Sequence, residues 1–271
     1  MKKVDVVTDS SACLPPALAD ELGIRIVPIP VHLPSGEVHD GDPGASEEVY
    51  AAIESGEAVK SEAPSAADYL AAIESTTSAS IVVVTPAVEF TVMHRNAWLA
   101  AQMAERRVVV IDCRTAAAAH GLVVIHAARA AASGSSFEEV KSVIEAGSSR
   151  AELCAKLDAL ESIEQSGRVP STTLEGARRM RVRPVFRLHL GTVEPLGLQQ
   201  SNGAALRRIS REFESRGGKG SEAVAVFHAA RPDEAGELSA AVSGDPMILE
   251  FSPSMGIHTG SGVVGVAWLK R

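Results

Sequence analysis

The sequence predicts an α/β protein of two domains, an N-terminal parallel-sheet α/β domain over residues 1–150 and a C-terminal α+β domain over residues 151–271. Three observations carry this. Short β-branched apolar runs alternate with alanine-rich stretches of helical period through the first half, the βαβα order of a parallel sheet. Strand patterns then come closer together after residue 150, as in hairpins. Composition agrees, since apolar residues are 45% of 271 and aromatics only 4%, suiting buried aliphatic strands under small-residue helices.

In order, residues 4–7, 24–31, 81–84 and 108–111 read as buried strands, each short and rich in Val and Ile. Residues 15–22, 46–54, 65–73, 91–104 and 116–132 read as the helices between them. Pro15 and Pro16 suit a helical first turn, where a missing N–H does no harm. Residues 32–42 contain Pro34-Ser35-Gly36 and read as a loop or small hairpin. Ser136 is a plausible N-cap for a helix over 137–146. Beyond it, residues 188–198 form a hairpin turning at His189–Gly191, further strands fall at 223–227, 247–251 and 263–269, and helices lie at 204–215 and 233–242.

A net charge of -8 argues against a nucleic-acid partner, which requires a basic face to neutralise phosphates. Arg178, Arg179, Arg181, Arg183 and Arg187 cluster locally, as a solvated face does. Cys13, Cys113 and Cys154 are isolated, odd in number and far apart, with no disulfide or zinc spacing. No run has the roughly 7–15 apolar residues of a signal peptide or the 18 or more of a membrane span. The expectation is a cytoplasmic protein without membrane insertion.

Chemistry concentrates at the ends of the chain. Thr8-Asp9-Ser10-Ser11 follows the first strand, where ligands of open α/β sheets bind. Asp9 or Ser11 could equally cap the next helix. Gly256-Ile257-His258-Thr259-Gly260-Ser261-Gly262 sets an imidazole and two hydroxyls among glycines that let backbone approach a ligand. Ser65 and Thr91 open helices whose free N–H groups favour anions. G-x-S-x-G, P-loop and H-E-x-x-H patterns are lacking, and no G-x-G-x-x-G follows a strand. A hydrolase would have to be assembled from Ser10, His258 and Asp9 without a local motif. The residues point to a binder of something anionic, with no catalytic residue, no metal and no cofactor.

These pieces, in this order, resemble the DegV family of bacterial fatty-acid-binding proteins along nearly the whole chain. Thr8-Asp9-Ser10-Ser11 with Leu14-Pro15 is similar to T-D-S-S-x-x-L-P, and Val27-Pro28-Ile29-Pro30-Val31 to the family's second strand. His39-Asp40-Gly41-Asp42 falls at a D-G-x-D-like turn, and Ser61-Glu62-Ala63-Pro64-Ser65 resembles T-S-Q-P-S. Asp112-Cys113-Arg114-Thr115 with Gly121-Leu122, Ser166-Gly167-Arg168-Val169, Arg183-Pro184-Val185 and the segment from Gly256 to Gly262 match further motifs.

The resemblance implies a long-chain fatty acid bound between or behind the two domains. Ser61, Thr91 and His258 would hold its carboxylate, with Asp9, Ser10, Thr259 and Arg168 in support. Arg168 has two readings, a phosphate contact or a cap on the domain interface. The resemblance also implies presentation of the acid to a fatty acid kinase. Two departures stand out: Thr91-Val92-Met93-His94 replaces S-G-T-Y, and Gln200-Ser201 stands where kinase-serving members carry an R-T pair. Gln200 keeps open an alternative, a lipid-responsive sensor or adaptor not coupled to the kinase.

Overall fold

The computed structural model describes residues 3–158 and 182–271. The first sheet has the order β2-β1-β6-β7, from β1 (Val4–Asp9), β2 (Ile24–Val27), β6 (Ser80–Thr85) and β7 (Arg107–Asp112). All three pairings are parallel. The second sheet is mixed, in the order β10-β9-β8-β13-β11-β12: β8 (Ala151–Lys156), β9 (Arg183–His189), β10 (Thr192–Gln199), β11 (Ala223–His228), β12 (Met247–Glu250) and β13 (Val264–Leu269). The expected α/β architecture, a parallel-sheet N-terminal part and a separate mixed-sheet C-terminal part, is what the chain adopts.

The strand pleat sorts the first sheet's side chains onto two faces. Val7, Ile81 and Val83 pack against α3 (Ala66–Glu74) and α4 (Met93–Met103). Val4, Val6, Val82 and Val84 pack against α5 (Ala117–Ala132), as do Leu153, Ala225, Phe227 and Ala267 of the second sheet. Helix α5 therefore lies between the two sheets, and twelve of its sixteen residues are buried. A helix covering one sheet would show one apolar stripe. Its sequence, AAAHGLVVIHAARAAA, is small on nearly every side, so both sheets can approach it. The far face of the second sheet carries Val226, Val266 and Trp268 against α7 (Asn202–Ser215) and α8 (Pro232–Ala241). Helices α1 (Pro16–Leu22) and α6 (Phe137–Arg150) flank the central layer.

A third, smaller sheet has the order β4-β3-β5, from β3 (Pro30–Leu33), β4 (Gly36–His39) and β5 (Lys60–Ser61), with α2 (Ala45–Ser55) packed on it. Here the structure corrects the reading of residues 24–31 as one strand. Pro28 and Pro30 lack amide donors and cannot continue a ladder. The run breaks between them, Ile29 donating its N–H to Ser10 Oγ at 3.0 Å. The loop or small hairpin expected over 32–42 is the hairpin of β3 and β4. Strands β5 and β8 were not expected, nor was α9 (Pro253–Thr259).

His120 is buried on α5, its Nε2 3.0 Å from Thr8 Oγ1 and 3.3 Å from the carbonyl of Val84. Desolvation pushes its pKa below the ordinary 6.5 and the nearby Asp9 only partly opposes this. A histidine whose folded pKa is depressed binds fewer protons in the native state, so stability is lost as pH falls below about 6.5. We expect urea unfolding of the wild type to weaken with acidification by at most about 1.4 kcal/mol per pH unit more than in His120→Gln; parallel curves would contradict this. Gly121 lies so close to the carbonyl of Ala12 that an added Cβ would stand 2.3 Å from that backbone oxygen. Gly121→Ala should therefore destabilise by about 1–3 kcal/mol from overpacking, although an unhindered mid-helix Gly→Ala would gain up to about 1 kcal/mol. The sign of the change in chemical denaturation decides.

Candidate functional site

Between the strand ends of the first sheet and the inner face of the second lies a cavity of about 590 Å³. Its walls are apolar and come from both halves of the chain. Four of the six phenylalanines, Phe90, Phe186, Phe227 and Phe251, line it. Phe227 and Phe251 stack with centroids 5.8 Å apart. An aromatic-poor sequence has thus placed most of its phenylalanines around one space. The deep end is closed off from bulk solvent, with Leu153, Leu157, Val185, Phe227 and Val263 each no more than 3% exposed.

Polar groups occupy the other end. Ser61 on β5, Thr91 before α4 and His258 on α9 all line the cavity. Ser61 Oγ and His258 Nε2 are 3.5 Å apart although 197 residues separate them. Ser61 and Thr91 are half-buried and His258 is exposed, so these groups form the mouth. Thr91 Oγ1 accepts the amide of Met93 at 3.3 Å, just ahead of α4, whose N-cap position is Val92. Such a mouth can meet a carboxylate with two hydroxyl donors and an imidazole N–H, while the walls behind can solvate only hydrocarbon.

The supporting candidates divide. Thr259 lines the cavity, its hydroxyl donating back to Met255 O at 3.3 Å. Asp9 and Ser10 are not among the lining residues. Asp9 is fully buried, accepting from Tyr69 Oη at 3.0 Å, from Ser11 N at 3.1 Å and from Ser11 Oγ. Ser10 donates to Asp40 Oδ2 at 2.9 Å. Both are spent on the turn that ends β1. Arg168 lies outside the described residues, as do Arg178, Arg179 and Arg181 of the basic cluster; Arg187 pairs with Glu194 and Glu152.

His258 belongs to a two-turn helix with Pro253 in its first turn, and two of the glycines around it make room for other chain segments. Gly256 gives room to the Tyr50 ring, since a Cβ there would be 2.5 Å from Tyr50 Cε1. Gly262, at φ 96°, gives room to the Asp158 carboxylate, 2.2 Å from where a Cβ would be. These glycines serve packing between chain segments. Tyr50 completes the fit by donating to Phe251 O at 2.8 Å.

Sequence reasoning missed Asp40. It is 6% exposed and its carboxylate accepts from Ser254 N at 3.0 Å, Ser254 Oγ at 2.6 Å, Ser10 Oγ at 2.9 Å and Ser252 Oγ. Burial raises its pKa above the ordinary carboxylate value, and the serine donors pull it back. The Ser252-Pro253-Ser254 sequence at the helix start was the available signal, being an N-cap hydroxyl followed by proline. Among the described residues no group of three His, Cys, Asp or Glu is placed to hold a metal, and no helix is long and apolar enough to cross a membrane.

The sequence profile of the DegV family, described there as uncharacterised, matches residues 3–271. A DegV domain-containing protein of Streptomyces coelicolor is 26% identical over 279 residues, covering 100% of this chain and 99% of that one. Two solved structures share the fold. A DegV family protein from Thermus thermophilus, described for its fatty acid binding, has a TM-score of 0.87 at 24% identity over 99% of this chain and 100% of that one. A stearic acid-binding protein from Eubacterium ventriosum has a TM-score of 0.85 at 18% identity, over 100% and 98%.

Proposed function

The chain belongs to the DegV family, and from that premise we propose that it binds one long-chain fatty acid, its carboxylate at Ser61, Thr91 and His258 and its tail in the apolar cavity. The observation that carries this reading is the junction of an apolar space of about 590 Å³ with an exposed mouth where Ser61 and His258 stand 3.5 Å apart. The volume falls within the roughly 300–1,000 Å³ of ligand sites. What the Thermus and Eubacterium proteins are said to bind points the same way.

The length of the ligand follows from the sheet. Residues on or beside all six strands of the second sheet line the cavity, from Val193 on β10 to Phe251 after β12. Five gaps of about 4.8 Å make roughly 24 Å. An extended chain advances roughly 1.2 Å per bond, so about twenty bonds fit. At about 0.8 kcal/mol per buried methylene, fourteen methylenes contribute on the order of 11 kcal/mol before entropy losses. A carboxylate drawn into this mouth without donors would be costly, and the two hydroxyls and the imidazole meet that cost. The protein acts as a carrier, with no reaction of its own and no cofactor besides the bound acid.

Delivery to a fatty acid kinase is what the family resemblance implies for the bound acid. Gln200, exposed after β10 in place of an arginine, favours the second reading, a lipid-responsive adaptor for another partner. A kinase assay with the loaded protein separates them: acyl phosphate formation supports delivery, and its absence with lipid-dependent capture of a different protein supports the adaptor. For the binding itself, native mass spectrometry of untreated protein should show an excess equal to one fatty acid. His258→Ala and Ser61→Ala should each weaken binding roughly 10- to 100-fold, the worth of a hydrogen bond to a charged group. An unshifted mass together with unchanged affinity in both variants would refute the site.

A further inference from the structure

Resting on the headgroup reading above, we infer that Asp40 is a positioning residue for His258, setting the imidazole opposite Ser61 and thereby the preference for a carboxylate over a neutral headgroup. Asp40 does not line the cavity. It acts at the start of α9, where Oδ1 accepts the Ser254 amide at 3.0 Å and Oδ2 accepts the Ser254 hydroxyl at 2.6 Å. A carboxylate from elsewhere in the chain, 214 residues away, thus holds this helix start. The N-cap hydroxyl of Ser252, which would ordinarily turn inward to cap its own helix, reaches to the same oxygen.

The grip on Ser254 is a grip on His258. The two are four residues apart on one helix, hence stacked on one face one turn apart, and both line the cavity. With only seven residues, α9 has no length over which a shift at its start could fade. The other half of the mouth is tied to the same carboxylate. Asp40 directly follows β4, which pairs with β3 through Pro30 and His39, and β3 pairs with β5 through Val31 and Ser61. Ser10, donating to the same oxygen and accepting from Ile29 N, ties this corner to the end of β1. One buried side chain therefore sets the distance between the two elements that carry Ser61 and His258.

The carboxylate holds the Ser254 amide on one oxygen and the Ser254 hydroxyl on the other. Asparagine at this position removes the charge and keeps one acceptor oxygen, so the hydroxyls that now donate to Oδ2 would have to turn round and accept from its NH₂. The test compares dissociation constants for palmitate and for hexadecanol in the full chain, for the wild type, Asp40→Asn, His258→Ala and the double variant. Wild type should prefer the acid. Asp40→Asn should cut that preference by roughly tenfold or more, within the range of one hydrogen bond to a charged group. In the double variant the preference should match His258→Ala alone, because Asp40 acts through that ring. If Asp40→Asn weakens both ligands equally, or if the two effects multiply, Asp40 is structural only and the inference fails. Should Asp40→Asn not fold, Ser252→Ala, which removes one donor and leaves the carboxylate, must show the same selective loss in smaller measure; a loss equal for both ligands overturns the inference. A wild type without preference for the acid, or one whose preference survives His258→Ala, would instead remove the headgroup reading and the inference with it.

Discussion

The fold depends on burying one helix from all sides. Helix α5 carries two sheets at once, so the core of the N-terminal half and the inner face of the C-terminal sheet are one continuous apolar mass. That arrangement is possible because its surface is mostly alanine and glycine, and it tolerates little change in volume. The backbone of the turn at Ala12 fits against Gly121. The polar price of central placement is limited to His120, whose Nε2 finds Thr8 and the Val84 carbonyl inside the sheet.

The same arrangement makes the cavity. Where α5 begins, at Ala116 and Ala117, the two sheets are no longer held apart by a helix, and the space between them is bounded by the strand-end loops of one and the flat face of the other. Small residues at that helix start leave the space open, and phenylalanines from both halves of the chain line it. At the exposed end the walls turn polar because three separate elements, β5, the approach to α4, and α9, converge there. Asp40 joins two of them and Ser10 fastens the corner to β1.

Much of the framework was legible in the residues. Val4 to Val7, Ile81 to Val84 and Val108 to Ile111 announce themselves as buried strands because a parallel strand covered on both faces has no polar side to show. Ser65 and Ser136 cap helices as expected, each in a reciprocal capping box. Ser61, Thr91 and His258, expected to share a site, line one cavity. Less legible were Ala151–Lys156, where Glu152 and Lys156 interrupt the apolar run yet are buried in β8, and the two-residue β5, too short for any periodicity. Nor did the glycines around His258 reveal that Tyr50 and Asp158 press in beside them from other segments.

The alternation of strands and helices in the first half and the burial of its strands were legible in the sequence alone, since hydrophobic period and capping are local properties that neighbouring residues express without the rest of the chain. The grouping of Ser61, Thr91 and His258 came from the family resemblance. Only the tertiary structure decided that α5 serves two sheets, that residues 24–31 divide between two of them, that Asp9 and Ser10 turn inward, and that Asp40 clasps a helix more than two hundred residues away. Those outcomes depend on which distant surfaces meet and on the volume left between them, quantities that no local pattern encodes.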